Sequence, residues 1–456
     1  MNIIIIGAGN IGSNIARSLI HENHHLTLID RSAETVQKAQ SELDALVICG
    51  DGAGIKTLRE GGVAECDLLI AVADDDGINI LTSYIAKRLN PKIKTFAKVK
   101  YYSTFFDEQQ VSPADFFIDV VINPNDLVID KIISLIDNPD AIEIINYHGG
   151  QVQLAGFLLT EKFLFAGESL HAIAEKDALF ARIRVAAISR SGVIIIPNGT
   201  HKLRTGDKIY CVGKTPDIQL MMRKYFNQAL SFNNVILTSE PKILPRLVER
   251  IKKSGRSVVI IEQDKELCKR FSEELDDVKV IHGYSTDASV IREVGTPRSV
   301  YVAMTDHDEF NIVASATAKN HGIPKAMCSI RDIDLVPILS SIAYIDSFFS
   351  ANVLATGEIL RYSRRGNINS VTYFSEISAE IIELTILDKI PILGKQLRNI
   401  DIPDGMIIAS ILRDEEIIIP NGDDMLLLND KVLLFVLPAS LHDVDLFFAT
   451  NLIIGR

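Results

Sequence analysis

The sequence predicts an α/β protein: two doubly wound parallel-sheet domains, each followed by a small α+β domain. Three observations carry this. Short apolar segments alternate with amphipathic ones from the first residues onward. The whole pattern occurs twice along the chain. Each half also changes character midway, from β/α alternation to short strands separated by Pro-Asn-Gly and Thr-Gly-Asp turns.

Segments 2–6, 26–29, 46–49, 68–72, 95–99 and 117–121 are apolar at nearly every position. Such runs are strands buried on both faces, hence parallel. Between the first two, Ile11, Ile15 and Leu19 recur every four residues, which is one helical face. Alternation of β and α at this spacing gives a doubly wound sheet. The second part of the first half reads as strands at 182–189, 193–196 and 208–212, with helices near 169–175 and 217–226.

The repeat is explicit. Ile-Ile-Ile-Pro-Asn-Gly stands at 194–199 and again at 417–422, followed by Asp207-Lys208-Ile209 and Asp430-Lys431-Val432. Residues 71–79 align with 303–311, and Arg59-Glu60-Gly61-Gly62 with Arg292-Glu293-Val294-Gly295. A repeat this long is a duplicated domain pair; solenoid units have periods of about 20–50 residues. The expected domains are 1–125, 140–226, 233–350 and 370–453, with 227–233 joining the halves.

Composition narrows the partners. The 456 residues suit two to four domains. Lys plus Arg is 47 against 59 Asp plus Glu, a net charge of −12 that repels phosphate backbones, so no nucleic-acid partner is expected. An apolar fraction of 47% with 23% charged residues is that of a globular protein. No apolar run reaches the ~18 residues needed to span a bilayer. The start carries no basic segment of a secretory signal. Five cysteines, never in C-x-x-C spacing, point to a reducing cytoplasm rather than disulfides or zinc.

Gly7-Ala8-Gly9-Asn10-Ile11-Gly12 is a G-x-G-x-x-G directly after a strand and opening a helix, the context that gives the motif meaning. Gly7 permits the tight turn, Gly9 lets a pyrophosphate approach the backbone, and Gly12 lets the helix sit close to the sheet. Phosphates then lie on free N–H groups at the helix start. Asp30, eighteen residues beyond Gly12 at the end of the second strand, can take both ribose hydroxyls. It favours NAD or an adenine nucleotide over NADP, although Arg31 beside it works the other way. The two doubly wound domains are therefore Rossmann-type.

Further strand ends add candidates. Asp51, in Gly50-Asp51-Gly52, reads either as an acceptor for an adenine amine or as the N-cap of the next helix. Ala73 and Asp74 stand at the rim where ligands bind such sheets; Asp74, Asp75 and Asp76 also read as a solvated acidic loop. Asn79 recurs as Asn311, which an N-terminal helix position explains as well as a ligand does. Lys98, ending the fifth strand, could complement phosphate, but a surface lysine is the more ordinary reading.

In the second half Ser239-Glu240-Pro241-Lys242-Ile243-Leu244 aligns with the glycine loop. Pro241 takes the place nearest the phosphate and removes a donor. Glu240 would repel pyrophosphate, and Leu244 replaces the packing glycine. Glu262 keeps the position of Asp30, and Thr305 that of Ala73. Ser239, Glu262 and Thr305 therefore outline a second, weak site. The ten histidines offer no proton-donor cluster for catalysis, and no GxxxxGK[ST], GxSxG or HExxH is present. A nucleotide site without a proton donor suits sensing rather than catalysis.

The doubled four-part order resembles the regulator-of-potassium-conductance (RCK) family. The segments that carry the resemblance are GAGNIG with Asp30, CGDG at 49–52, AVADDDGIN at 71–79 with AMTDHDEFN at 303–311, and the IIIPNG segments with their following GDKIYCVG and NDKVLLFV strands. The resemblance implies a non-enzymatic regulatory subunit that binds NAD(H), with ATP or ADP as alternative ligands. It implies a homo-oligomeric ring, a dimer or tetramer of chains, held peripherally at the cytoplasmic face of the inner membrane. The partner would be a membrane-embedded potassium-translocating subunit. Family members commonly carry an acid where Gly77 stands, as Glu309 does in the second half. The alternative readings are a regulator of another cation transporter and an NAD-dependent dehydrogenase.

Overall fold

The computed structural model describes all residues except 21–23, 108–109, 227–230, 333–334, 336–338, 340–343, 364–367, 375–378, 387–389, 391 and 449–456. Residues 227–230 of the expected joint thus lie outside the described residues.

The first lobe is a six-stranded parallel sheet of order β3-β2-β1-β4-β5-β6. Its strands are β1 (Asn2–Ile6), β2 (His25–Asp30), β3 (Leu46–Cys49), β4 (Leu68–Ala71), β5 (Lys94–Lys98) and β6 (Val120–Ile122). The order reverses between β1 and β4, and a crevice opens there beyond the strand ends. The sixth strand starts later than its apolar run suggests. Pro113 and the Ser112–Asp115 capping box wind Pro113–Phe116 into a 3-10 turn, and Phe117 closes it at φ 54°.

A five-stranded antiparallel sheet follows, order β10-β9-β11-β8-β7, made of β7 (Ala141–Tyr147), β8 (Val152–Leu158), β9 (Ile183–Arg190), β10 (Val193–Ile195) and β11 (Lys208–Lys214). The helix expected over 217–226 is α-helical only over Thr215–Met221 and continues as a π-turn, Met222–Phe226.

The second lobe repeats the first: β14-β13-β12-β15-β16-β17, with β12 (Asn234–Ser239), β13 (Ser257–Glu262), β14 (Lys279–His282), β15 (Ser299–Met304), β16 (Lys325–Ser329) and β17 (Ser347–Phe349). Ile6 pairs with Ala71 as Thr238 pairs with Ala303, so the two lobes match residue for residue. The last sheet, β18-β19-β22-β20-β21, has the strand order of the first small sheet; its strands are β18 (Ile368–Phe374), β19 (Ala379–Thr385), β20 (Met406–Arg413), β21 (Glu416–Ile418) and β22 (Lys431–Val436). The repeated Asp207 and Asp430 are both buried. Each holds an arginine, Arg190 at 2.7 Å and Arg413 at 2.8 Å, and so pins the turn before β11 or β22 to its neighbour strand.

The lobes exchange helices. The Pro124–Asp137 helix follows the first sheet, but its Val128, Ile129, Ile132, Leu135 and Ile136 join the core of the second, with Val235, Leu237 and Val300. The Ala351–Ser363 helix follows the second sheet, and its Ala355, Ile359 and Leu360 pack with Ile3, Ile5 and Ile70 of the first. Each buried aliphatic side chain contributes about 2 kcal/mol. The small sheets likewise share one core, Leu154 and Tyr210 meeting Leu433 and Phe435.

One buried cation fixes the first exchange. Lys325 Nζ, from β16, donates to the carbonyls of Leu135 (2.9 Å), Pro139 (3.0 Å) and Ala141 (2.8 Å) at the end of the Pro124–Asp137 helix. Burial pushes this ammonium down to about 8, while the negative helix end favours the charged form. Lys325→Met leaves those carbonyls without their donor and is expected to destabilise the protein by about 2–3 kcal/mol. Thermal unfolding checks this; an unchanged melting temperature refutes it.

Candidate functional site

The glycines of the first loop do three different things. Gly7 has φ 94°, and a Cβ on it would lie 2.8 Å from the Ala73 nitrogen. A Cβ on Gly12 would lie 1.9 Å from the Gly7 oxygen, because the Asn10–Leu19 helix sits directly on the turn. Gly9 faces open space, with nothing within 4 Å of its Cβ position. The first helical bond runs from Ser13 N to Gly9 O, so the amides of Gly9, Asn10, Ile11 and Gly12 precede it.

Asp30 does more than the spacing suggests. Its Oδ2 accepts from Ala8 N and its Oδ1 from Ser32 N, both at 2.8 Å. The carboxylate therefore ties the glycine loop to the end of β2. Asp51 Oδ1 accepts from Ala53 N at 3.0 Å. It is not the N-cap of the next helix, Ile55–Glu60, whose cap is Gly54; the turn inserts two residues between them.

The acidic rim resolves into three roles, not one solvated loop. Asp74 is exposed. Asp75 caps the Asp76–Leu89 helix, accepting from Ile78 N at 3.0 Å. Asp76 is buried and accepts from Tyr101 N at 2.9 Å. Asp308 repeats this, accepting from Arg331 N and Asp332 N at 2.8 Å.

Asn79 is the residue the sequence left ambiguous. It is 0% exposed. Its Oδ1 accepts from Ala73 N at 2.8 Å, and its Nδ2 donates to the carbonyls of Ala73 and Lys98 at 2.9 Å. One amide thus ties the ends of β4 and β5. Asn311 makes the same three bonds, with Thr305 N, Thr305 O and Ser329 O at 2.9, 3.0 and 3.1 Å. Its recurrence was the available signal.

Lys98 is not a surface lysine. It is 2% exposed, with Nζ 3.7 Å from Asp74 Oδ1. Burial, and then Lys100, push its ammonium down to about 8, against the pull of Asp74 and Asp76.

The strand-end rims of the two lobes face one cleft of about 1210 Å³. The first lobe lines it with Gly9, Asn10, Asp74, Lys98, Lys100 and Tyr101; Asp30, Asp51 and Ala73 lie outside that lining. The second lobe brings Ser239, Glu262 and Thr305 to the same space. Lys242 Nζ stands 4.9 Å over the Tyr101 ring, and Arg331 pairs with Glu240 at 2.7 Å. The Thr305 hydroxyl is held by Asn311 Oδ1 at 2.7 Å.

Fold and rims define a tandem Rossmann-type protein with the glycine loop kept in one lobe and lost in the other. Residues 3–124 and 243–351 match the TrkA-N domain family, and residues 381–449 the TrkA-C domain family. The chain belongs to the TrkA-N family, with a TrkA-C domain at its end. The first small unit shares the strand order of that domain.

Among relatives, the Trk system potassium uptake protein TrkA of Halomonas elongata is 29% identical, covering 99% of both chains. The TrkA homolog 1 of Methanosarcina mazei is 29% identical, over 98% of this chain and 100% of its own. Among solved structures, the GsuK RCK domain aligns with TM-score 0.58 at 16% identity, over 98% of this chain and 95% of its own. The GsuK channel bound to NAD aligns at 0.57 and 15%, over 98% and 79%. The fold is thus the one the RCK resemblance implied.

Asn79→Ala strips partners from the buried Lys98 carbonyl and the half-buried Ala73 amide and carbonyl, and is expected to cost roughly 2–3 kcal/mol. Thermal unfolding measures it; wild-type stability in the variant would show that the clamp is dispensable.

Proposed function

We propose that this chain is the nucleotide-sensing regulatory subunit of a membrane potassium-uptake system. The observation that carries the reading is the first-lobe loop: amides without helical partners, open space over Gly9, and a carboxylate at the end of β2. Gly7, Ala8, Gly9, Asn10, Ile11 and Gly12 form the phosphate cradle, and Asp30 takes the ribose hydroxyls. Asp51 lies toward the adenine, Ala73 and Asp74 border the far side, and Lys98 supplies positive charge. NAD(H) is the first ligand, with ATP or ADP as alternatives. The names of the full-length relatives support the potassium-uptake role.

The mechanism is non-catalytic. Phosphates on Gly9–Gly12 would face a cleft walled by both lobes, so occupancy changes the free energy of their relative placement. The ligand shifts the resting equilibrium only by its difference in affinity for the two placements, about 1.4 kcal/mol for each factor of ten. Chains assemble into a ring at the cytoplasmic face of the membrane, beneath the potassium-translocating subunit. Among the described residues no helix is long and apolar enough to cross a membrane; in this reading the ion path belongs to that separate subunit.

Gly9→Val fills the space a pyrophosphate needs and is expected to abolish NADH binding in calorimetric titration; Asp30→Ala should weaken it by about 1.5–3 kcal/mol. In vesicles holding the transporter, potassium flux should depend on added nucleotide with the wild-type chain and lose that dependence with Gly9→Val. Equal nucleotide dependence in both would sink the reading.

Affinity should also depend on pH. A bound phosphate stabilises charged Lys98, so binding takes up a proton once the free-state value of about 8 is passed. NADH affinity is expected to be full below pH 7 and to fall as pH rises through 8 to 9. Lys98→Arg should flatten the profile; an identical slope in that variant would remove Lys98 from the site.

A further inference from the structure

The second lobe has closed one half of a nucleotide site and kept the other. Where the first lobe leaves the amides of Gly9–Gly12 ahead of its first helical bond, the aligned stretch folds onto itself. Ile243 N and Leu244 N both donate to Glu240 O, at 3.2 and 3.3 Å, and Glu240 N donates to Met304 O at 3.0 Å. Pro241 has no amide hydrogen. Of the four positions aligned with Gly9–Gly12, three have therefore lost or spent their donors. A diphosphate finds no cradle there, and the carboxylates of Glu240 and Glu262 oppose its charge.

The other half of the rim is still formed. Glu262 pairs with His282 in the register in which Asp30 pairs with Cys49. One oxygen of Glu262 accepts from Asp264 N at 2.9 Å. Asp30 shares its other oxygen with the Ala8 amide; among the described residues that oxygen of Glu262 has no such amide on it, so a ribose diol meets it uncontested. Gly283-Tyr284-Ser285 stands where the first lobe has Gly50-Asp51-Gly52. Tyr284 is 60% exposed and lines the cleft, so an aromatic face replaces a carboxylate at the position of the base. The floor is rigid: Ser285 and Thr238 share a 2.5 Å hydrogen bond over the buried Tyr301 hydroxyl. Ser239, 6% exposed, lines the same space with its Oγ unpartnered, a buried group that a ligand hydroxyl or ring nitrogen would satisfy.

We propose that the second lobe binds a purine nucleoside, its base stacked on Tyr284 and its ribose diol on Glu262, and excludes nucleoside di- and triphosphates. Flat bases stack on such rings with little regard to sequence, while the diol supplies the selectivity for ribose. This site is separate from the first-lobe site and stands whether or not that reading holds.

The test uses the full-length chain and labelled adenosine in equilibrium dialysis, with and without saturating NADH. One adenosine per chain is expected to remain bound when NADH is present, and ATP should compete at least tenfold more weakly than unlabelled adenosine. Tyr284→Ser, at an exposed position, and Glu262→Gln, at a half-buried one, should each weaken adenosine at least fivefold and leave NADH titrations unchanged. Adenosine fully displaced by NADH, ATP competing as well as adenosine, or wild-type adenosine affinity in Tyr284→Ser would each overturn the proposal. Absence of NADH binding would count against the first-lobe reading alone, because Tyr284→Ser still reports on the second.

Discussion

The molecule depends on the exchange of one helix between its two large lobes. A parallel sheet needs both faces covered, and here part of each cover is supplied by the helix that follows the other sheet. Val128, Ile132 and Leu135 belong by sequence to the first lobe and by packing to the second; Ile359 and Leu360 reverse the relation. Lys325 reaches across to the end of the exchanged helix and makes the arrangement specific, since a buried ammonium needs its carbonyl partners. Neither lobe can be completed without the other, and their strand ends are thereby held facing one cleft.

That constraint places the chemistry. The glycine loop of the first lobe looks into the cleft through Gly9, Asn10 and Ile11, while Asp30 and Asp51 lie outside its lining. The part of a ligand that carries most charge would therefore be the part that meets the second lobe. In the proposed reading, a bound ligand would act through the relative placement of the two lobes. The exposed ion pairs between the lobes, such as Arg250 with Asp130, add little to stability; apolar contact and the Lys325 bonds set the geometry.

The two lobes also show that the strand-end scaffold and the glycine loop are separable. Asn79 and Asn311 make the same three backbone bonds, and Asp76 and Asp308 hold the chain after the fifth strand in the same way. These groups satisfy backbone amides and carbonyls at the strand ends, so they persist where the glycine loop does not. Pro241 and Leu244 alter only the helix start, and the second rim remains a formed surface.

Much of this was legible in the residues themselves. The glycine loop is local: a turn with φ near 94° at Gly7 and a helix start against the sheet demand small residues at fixed spacing, and apolar runs bounded by turns demand strands. The duplicated segments show the doubled order because identical residues fold alike. The burial of Lys98, the clamps of Asn79 and Asp76, the second use of Asp30 and the helix exchange were decided only in three dimensions. A lysine, an asparagine and an aspartate have the same polarity in a linear pattern whether solvated or enclosed. Which of them is enclosed depends on backbone groups brought close from far along the chain, and no spacing rule contains that.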